Sequence, residues 1–377
     1  MNRYGVCKIK TKNSVKLVFA FALATSIVMA GWYTASDANN SSPIEKRADS
    51  SPERIAFTEE IKGTSQIFTV DIDGKSKRME TQSNYDKSIS TLTRDNRHIV
   101  FKGYKPNERF YSQFGFYVLD RQTGSERRLT DGLVWEGPYD CHPGNDLIVF
   151  EGIYQHHGYG DIVIATFGGK TQKLTNTEEF DERAPSFDHD GTQIIYVSNA
   201  LSKKVDGYRL KSVFTMRLDG TDRKRLTFDE SEDCEKPTMS PDGTHIAFVS
   251  RKYDEKTEIQ ERCIVLLNLS TQKRRILTKN ERNFFQPQFS LDGRSIVYGE
   301  GGETPLKTFL FSLEDRVKIP LDPPESNKTD GARFTADGKH IVFWAYFNKT
   351  RTATLMRTDS QGKNRVALTS KGFTPKK

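Results

Sequence analysis

One phrase recurs along this chain: a polar turn, then a short apolar strand that ends on an aromatic ring. Its clearest copies run from Ser240 to Phe248 (Ser-Pro-Asp-Gly-Thr-His-Ile-Ala-Phe), from Ser290 to Tyr298 and from Thr335 to Phe343. The closing aromatics are Phe57, Phe101, Phe150, Tyr196, Phe248, Tyr298 and Phe343, spaced 44 to 52 residues apart. A period of roughly 40–50 residues that holds several short strands is the signature of a propeller with one blade per repeat. The chain is therefore expected to be all-β, a seven-bladed β-propeller with four antiparallel strands in each blade.

Repeat four shows how each blade divides under period-2 reading. Strand A is Ala184–Phe187, strand B is Gln193–Val197, strand C is Val213–Leu218 and strand D is Arg223–Thr227. Asp-Gly pairs between A and B and between C and D supply the positive φ of tight hairpins. Strand D recurs as Arg-Leu-Thr or a close variant at Thr130, Thr175, Thr278 and Thr369.

A ring must tie its last blade to its first, because unpaired sheet edges invite association. Repeat one has strands B, C and D but no strand A. The segment from Gly372 to Lys377 aligns with Arg333 to Gly338. The C-terminal strand is therefore expected to supply the inner strand of blade one, a 1+3 clasp.

Strand A lines the axis, and its side chains alternate. Leu92, Cys141, Phe187, Met239, Phe289, Phe334 and Phe373 are expected to pack between blades. The residue before each is expected to face the channel: Thr91, Asp140, Ser186, Thr238, Gln288, Arg333 and Gly372. All are polar or glycine, as a wet channel requires.

Residues 1–38 read as a signal peptide. Arg3, Lys8, Lys10, Lys12 and Lys16 precede the apolar run Leu17–Ala30, and small residues follow. Residues 39–51 read as a flexible linker and residues 52–377 as the propeller. The expected localisation is periplasmic or secreted, with no stable membrane insertion once the signal is cleaved. The signal segment also carries much of the formal charge of +7. The near balance of the remainder gives no mandate for nucleic acid. Cys141, Cys234 and Cys263 stay in the mature chain with their disulfide state open, and Cys141 and Cys263 read as small buried apolar residues.

The A–B and C–D turns are short and share one face, while the B–C and D–A loops are long and varied. Rigid scaffolds carry binding residues on such loops. The long-loop face is thus the expected contact for a protein or carbohydrate partner. Near its mouth lie Asp86, Glu136, Asp181, Asp233, Asp330 and Trp135. Gln155, His156 and His157 form the candidate metal set, since adjacent imidazoles on a loop can ligate a divalent ion. No other cofactor is expected, and the chain is expected to be a monomer. Nucleophile elbows, His-Glu-x-x-His and glycine-rich phosphate loops are absent from the sequence.

The phrase Met-Ser-Pro-Asp-Gly-x-x-Ile-Ala-Phe, with Asp-Gly after strand C and Arg-Leu-Thr on strand D, resembles the TolB-like, WD40-related (PD40) propeller repeat. The Gly-His and Trp-Asp pairs of true WD40 repeats are missing. The likeness covers about residues 50–377 and is specific for fold. It implies that an Asp about six residues before the strand-A aromatic satisfies backbone donors. Oligogalacturonate lyases share the repeat type and hold a divalent metal through His and Gln, which implies a lyase as the enzymatic alternative. The leading expectation is a binding or scaffold propeller without catalytic residues.

Overall fold

The computed structural model describes residues 53–372 except 106–113, 131–134, 154–158, 202–203, 206–207, 255–258, 279–282, 285–286 and 302–304. These residues form seven antiparallel sheets in chain order and no helix. Blade two is typical: Asp86–Leu92, His98–Tyr104, Phe114–Asp120 and Glu126–Arg128 pair in sequence. Blade three begins with Trp135–Cys141, blade four with Glu182–Phe187, blade five with Glu232–Met239 and blade seven with Lys328–Phe334. In blade six two short pieces, Asn283–Phe284 and Gln288–Phe289, both pair with Ser295–Gly301 and share the inner position. Blade four adds a small hairpin, Lys204–Val205 with Tyr208–Arg209. The chain is thus a seven-bladed propeller of the expected class.

Two recurrent devices explain why the repeat is written as it is. The strand-D threonine is a cap. The hydroxyls of Thr81, Thr130, Thr175, Thr227 and Thr278 each accept from the backbone amide of Ile67, Phe116, Ile162, Val213 and Ile264 at 2.9 Å. All five are buried. Each satisfies an amide of the strand beside the short outermost strand, where that outermost strand has run out. The A–B turn is the second device. Ser240 Oγ donates to Asp242 (2.5 Å) and accepts from the His245 amide (2.9 Å), with Gly243 at φ 67° closing the turn. Thr335, Asp337 and His340 repeat this arrangement.

Seven apolar clusters hold the ring, one at each interface between neighbouring blades. Leu92 packs between blades one and two, Cys141 between two and three, and Phe187 between three and four. Met239, Phe289 and Phe334 occupy the next three interfaces. The seventh cluster joins Ile55, Phe57, Phe68 and Val70 of blade one to Val342, Leu355 and Leu368 of blade seven. Fully burying such a side chain is worth about 1.5–3 kcal/mol, so face-to-face packing is the main cohesive force.

Most of the segment expected to close the ring lies outside the described residues. Gly372 ends the outer strand of blade seven, Val366–Gly372, opposite Thr352, and so it is not an inner-strand position of blade one. Phe373 to Lys377 lie outside the described residues. Among the described residues blade one has three strands, Arg54–Ile61, Thr64–Asp71 and Arg78–Met79. Side-chain contacts reinforce this seam: Arg357 Nε donates to the Ile72 carbonyl (2.8 Å), and Glu53 Oε1 accepts from the Ala336 amide (2.8 Å).

No helix among the described residues is long and apolar enough to cross a membrane. Residues 1–52, including the signal and linker read from the sequence, lie outside the described residues. Cys141, Cys234 and Cys263 are free thiols.

A polar cavity on the propeller axis

The inner strands do not run straight. In blades two, three, four, five and seven the register slips at one place, between Ser88 and Thr91, Glu136 and Tyr139, Arg183 and Ser186, Glu235 and Thr238, and Asp330 and Arg333. Such bulges re-aim the side chains that follow them. Beyond the slip, Thr91, Asp140, Ser186, Thr238, Gln288 and Arg333 all line one cavity of about 380 Å³.

A second tier lies three residues further along each repeat. Arg94, Pro143, His189, Pro241, Leu291 and Ala336, all in the A–B turns, line the same cavity. The described cavity therefore runs toward the tight-turn face. The sequence reading favoured the opposite, long-loop face for ligands.

Arg54, Arg94 and Arg333 line this cavity with Glu53, Asp140 and Asp188, and these charges are unevenly partnered. Asp140 accepts from the Cys141 amide through Oδ1 (2.9 Å) and from the Phe187 amide through Oδ2 (2.9 Å), bridging blades three and four. Burial nonetheless lifts its pKa to about 6, against the pull of those amides and of Arg94. Arg94 faces Asp140 and Asp190, and Arg333 lies beside Tyr139 and Cys141; burial lowers the pKa of both guanidiniums. An arginine still keeps its charge, because its intrinsic pKa is so high. Among the described residues neither Arg94 nor Arg333 makes a hydrogen bond or an ion pair. Two arginines thus line the cavity without a hydrogen bond or ion pair among the described residues.

Neighbouring groups are already committed. The Tyr139 hydroxyl donates to Thr91 Oγ1 (2.9 Å), and burial pushes its pKa far up. His142 accepts at Nδ1 from the Gly144 and Asn145 amides (3.0 and 2.8 Å), while Nε2 bonds the Gly191 carbonyl (3.0 Å). Burial depresses its pKa, which suits a neutral ring with both nitrogens used.

Asp86, Asp181, Asp233 and Asp330, picked out on the long-loop side, have structural duties and are not among the residues lining this cavity. Asp86 accepts from the Ser65 amide (2.8 Å), Asp181 from Gly160 (3.0 Å) and Asp233 from Lys211 (2.7 Å). In each case a carboxylate of one blade caps a strand of the preceding blade. Asp330 pairs with Lys328 Nζ (2.7 Å) and accepts from the Tyr346 hydroxyl (3.3 Å). Gln155, His156 and His157 lie outside the described residues, as do the side chains of Glu136 and Trp135.

Fold and cavity together define a seven-bladed, TolB-like propeller with a polar axial cavity lined by charges of both signs. No family model matches the chain. Among solved structures it is similar to TolB from Acinetobacter baumannii, with a TM-score of 0.50 and 20% identity over 71% of this chain and 63% of that one. It is similar to an oligogalacturonate lyase in complex with manganese, with a TM-score of 0.58 and 15% identity over 78% of this chain and 82% of that one. A prolyl endopeptidase structure gives a TM-score of 0.63 at 11% identity, covering 85% of this chain and 48% of that one. In sequence, the uncharacterized peptidase YuxL of Bacillus subtilis (strain 168) is 26% identical over 167 residues, 43% of this chain. The matched stretch spans 23% of that relative's length. These likenesses establish the propeller fold.

Proposed function

We propose that the protein is an exported binding propeller that takes a carboxylate-bearing group of a protein or carbohydrate partner into its axial cavity. The observation that carries this reading is the pair Arg94 and Arg333, two guanidiniums on one cavity with no hydrogen bond or ion pair among the described residues. Guanidinium forks match carboxylate geometry, and they gain most where water is restricted. The carboxylates first considered as a site cap strands instead, which favours the axis over the long loops. Export rests on the basic, then apolar, N-terminal segment.

The test is calorimetric titration of the full mature chain with a short Asp/Glu-rich peptide and with an oligogalacturonate. Binding of either, weakened at least tenfold by Arg333→Gln and by Arg94→Gln, supports the reading. Saturable binding that ignores both substitutions removes the cavity as the site. Formation of unsaturated sugar products from the oligogalacturonate would replace the binding reading with the lyase one.

A further inference from the structure

The blade-one to blade-seven seam holds a second group of chemistry-bearing side chains, one of which, Glu53, also lines the cavity. Glu53, Asp337 and His340 each place one donor atom so that the three lie within 4.8 Å of one another. Glu53 Oε1 is fixed by the Ala336 amide across the seam, and its Oε2 is buried with no hydrogen-bond partner. His340 Nδ1 is likewise buried and unbonded. Asp337 is oriented from behind, its Oδ1 accepting from Thr335 Oγ1 (2.8 Å) and the Lys339 amide (2.9 Å).

The repeat supplies internal comparisons. His98 and His245 occupy the position of His340 in blades two and five. The His245 ring meets Thr244 Oγ1 (2.7 Å) and Asn268 Nδ2 (3.1 Å). The His98 ring nitrogens face Asp120 (3.8 Å) and Asp146 (3.6 Å). Asp146 likewise approaches the His98 ring from the next blade, but among the described residues it is at His340 that three ligand atoms fall within 4.8 Å of one another.

We propose that Glu53, Asp337 and His340 form a divalent-cation site that clasps blade one to blade seven. One imidazole and two carboxylates suit Zn²⁺ or Mn²⁺, with water completing the shell. Ligand atoms at about 2.1 Å from a common ion lie within about 4.2 Å of one another, so the observed spread closes with a few tenths of an ångström of movement. The ion would offset the repulsion between adjacent carboxylates. Without it, burial first and then the neighbouring Asp337 raise the pKa of Glu53 to about 7. Two cations oppose the metal: Lys339, exposed and 3.5 Å from Asp337, and Arg357, tied to the Ile72 carbonyl. They limit affinity without blocking the site.

The test is titration of the chelator-stripped, full mature chain with Mn²⁺ and with Zn²⁺ at pH 7.5, followed by calorimetry and by thermal melting. One equivalent should bind and raise the melting temperature. His340→Gln and Glu53→Gln should each weaken binding at least tenfold and abolish the thermal shift. His245→Gln, at the equivalent position of blade five, should leave both intact. Because ions can bind elsewhere, a combined His156→Ala and His157→Ala variant is titrated alongside and should retain the site. Absence of stoichiometric binding overturns the proposal. So does binding that survives in both seam variants. If a seam variant fails to fold, wild-type histidine NMR decides: Mn²⁺ must broaden one imidazole signal before the others, and uniform broadening overturns the assignment.

Discussion

Asp233 of blade five accepts a hydrogen bond from the backbone amide of Lys211 in blade four at 2.7 Å, so one blade's carboxylate caps the strand of its neighbour. Asp233 also pairs with Arg251, and it is 3% exposed. Hydrogen bonds to charged groups contribute about 1.5–3 kcal/mol, and removing the acceptor strands a buried donor. Asp233→Ala should lower unfolding stability by about that amount, read from the urea midpoint. Asp86→Ala, which strands the Ser65 amide at a more exposed place, should cost less. Equal losses would show that the cap is not the operative contact.

The strand-D threonine gives a near-isosteric test. Thr227→Val keeps the shape but leaves the buried Val213 amide without its acceptor, which should cost about 1–3 kcal/mol. Thr227→Ser retains the hydroxyl and should lose less than half as much. A valine variant as stable as wild type would mean that packing, not capping, selects threonine here.

The carboxyl of Asp140 titrates at about 6 because burial disfavours its charge. Its folded value lies above the unfolded one, about 3.9, so the folded state holds this proton more tightly. The resulting stabilisation is present below the unfolded value and is lost as pH rises through about 6. Protonation also removes a negative charge opposite Arg94. Binding of an acidic peptide should therefore tighten as pH falls from 7 to 5, and Asp140→Asn should flatten that dependence. A wild-type profile that is already flat would separate Asp140 from ligand binding.

Gly191 sits at φ 72° beneath the ring of His142, and a Cβ there would lie 2.3 Å from its Nε2. Gly191→Ala combines left-handed strain of about 1–2 kcal/mol with overpacking of about 1–3 kcal/mol. Adding His142→Ala should recover the steric part alone, a non-additivity that a double-mutant cycle of unfolding energies measures. Simple additivity would deny the contact.

Much of the ring was legible in the sequence because its blades repeat one set of local rules. Seven closing aromatics at near-constant spacing gave the blade count. Strand-A alternation placed Thr91 to Arg333 around the axis, and all six of those described residues share the cavity. Two kinds of feature escaped. Arg94 was missed because it lies in a turn, where period-2 reading stops, although the register offset that also brings in His189 and Pro241 was visible in the alignment. Glu53 was missed because a residue at the edge of a linker carries no pattern. Its partner Ala336 is 283 positions away, and only closure of the ring brings them together.

The two tiers that line the axis also separate tasks. The frame is held by buried threonine caps, interblade carboxylates and apolar clusters, whereas Arg94, Pro241, Leu291 and Ala336 project from turns whose geometry rests on their neighbours. One address per blade can thus change its chemistry while the architecture stays constant. Such a mouth behaves as a dial of independent settings, and related rings can diverge in what they hold by substituting a few turn residues.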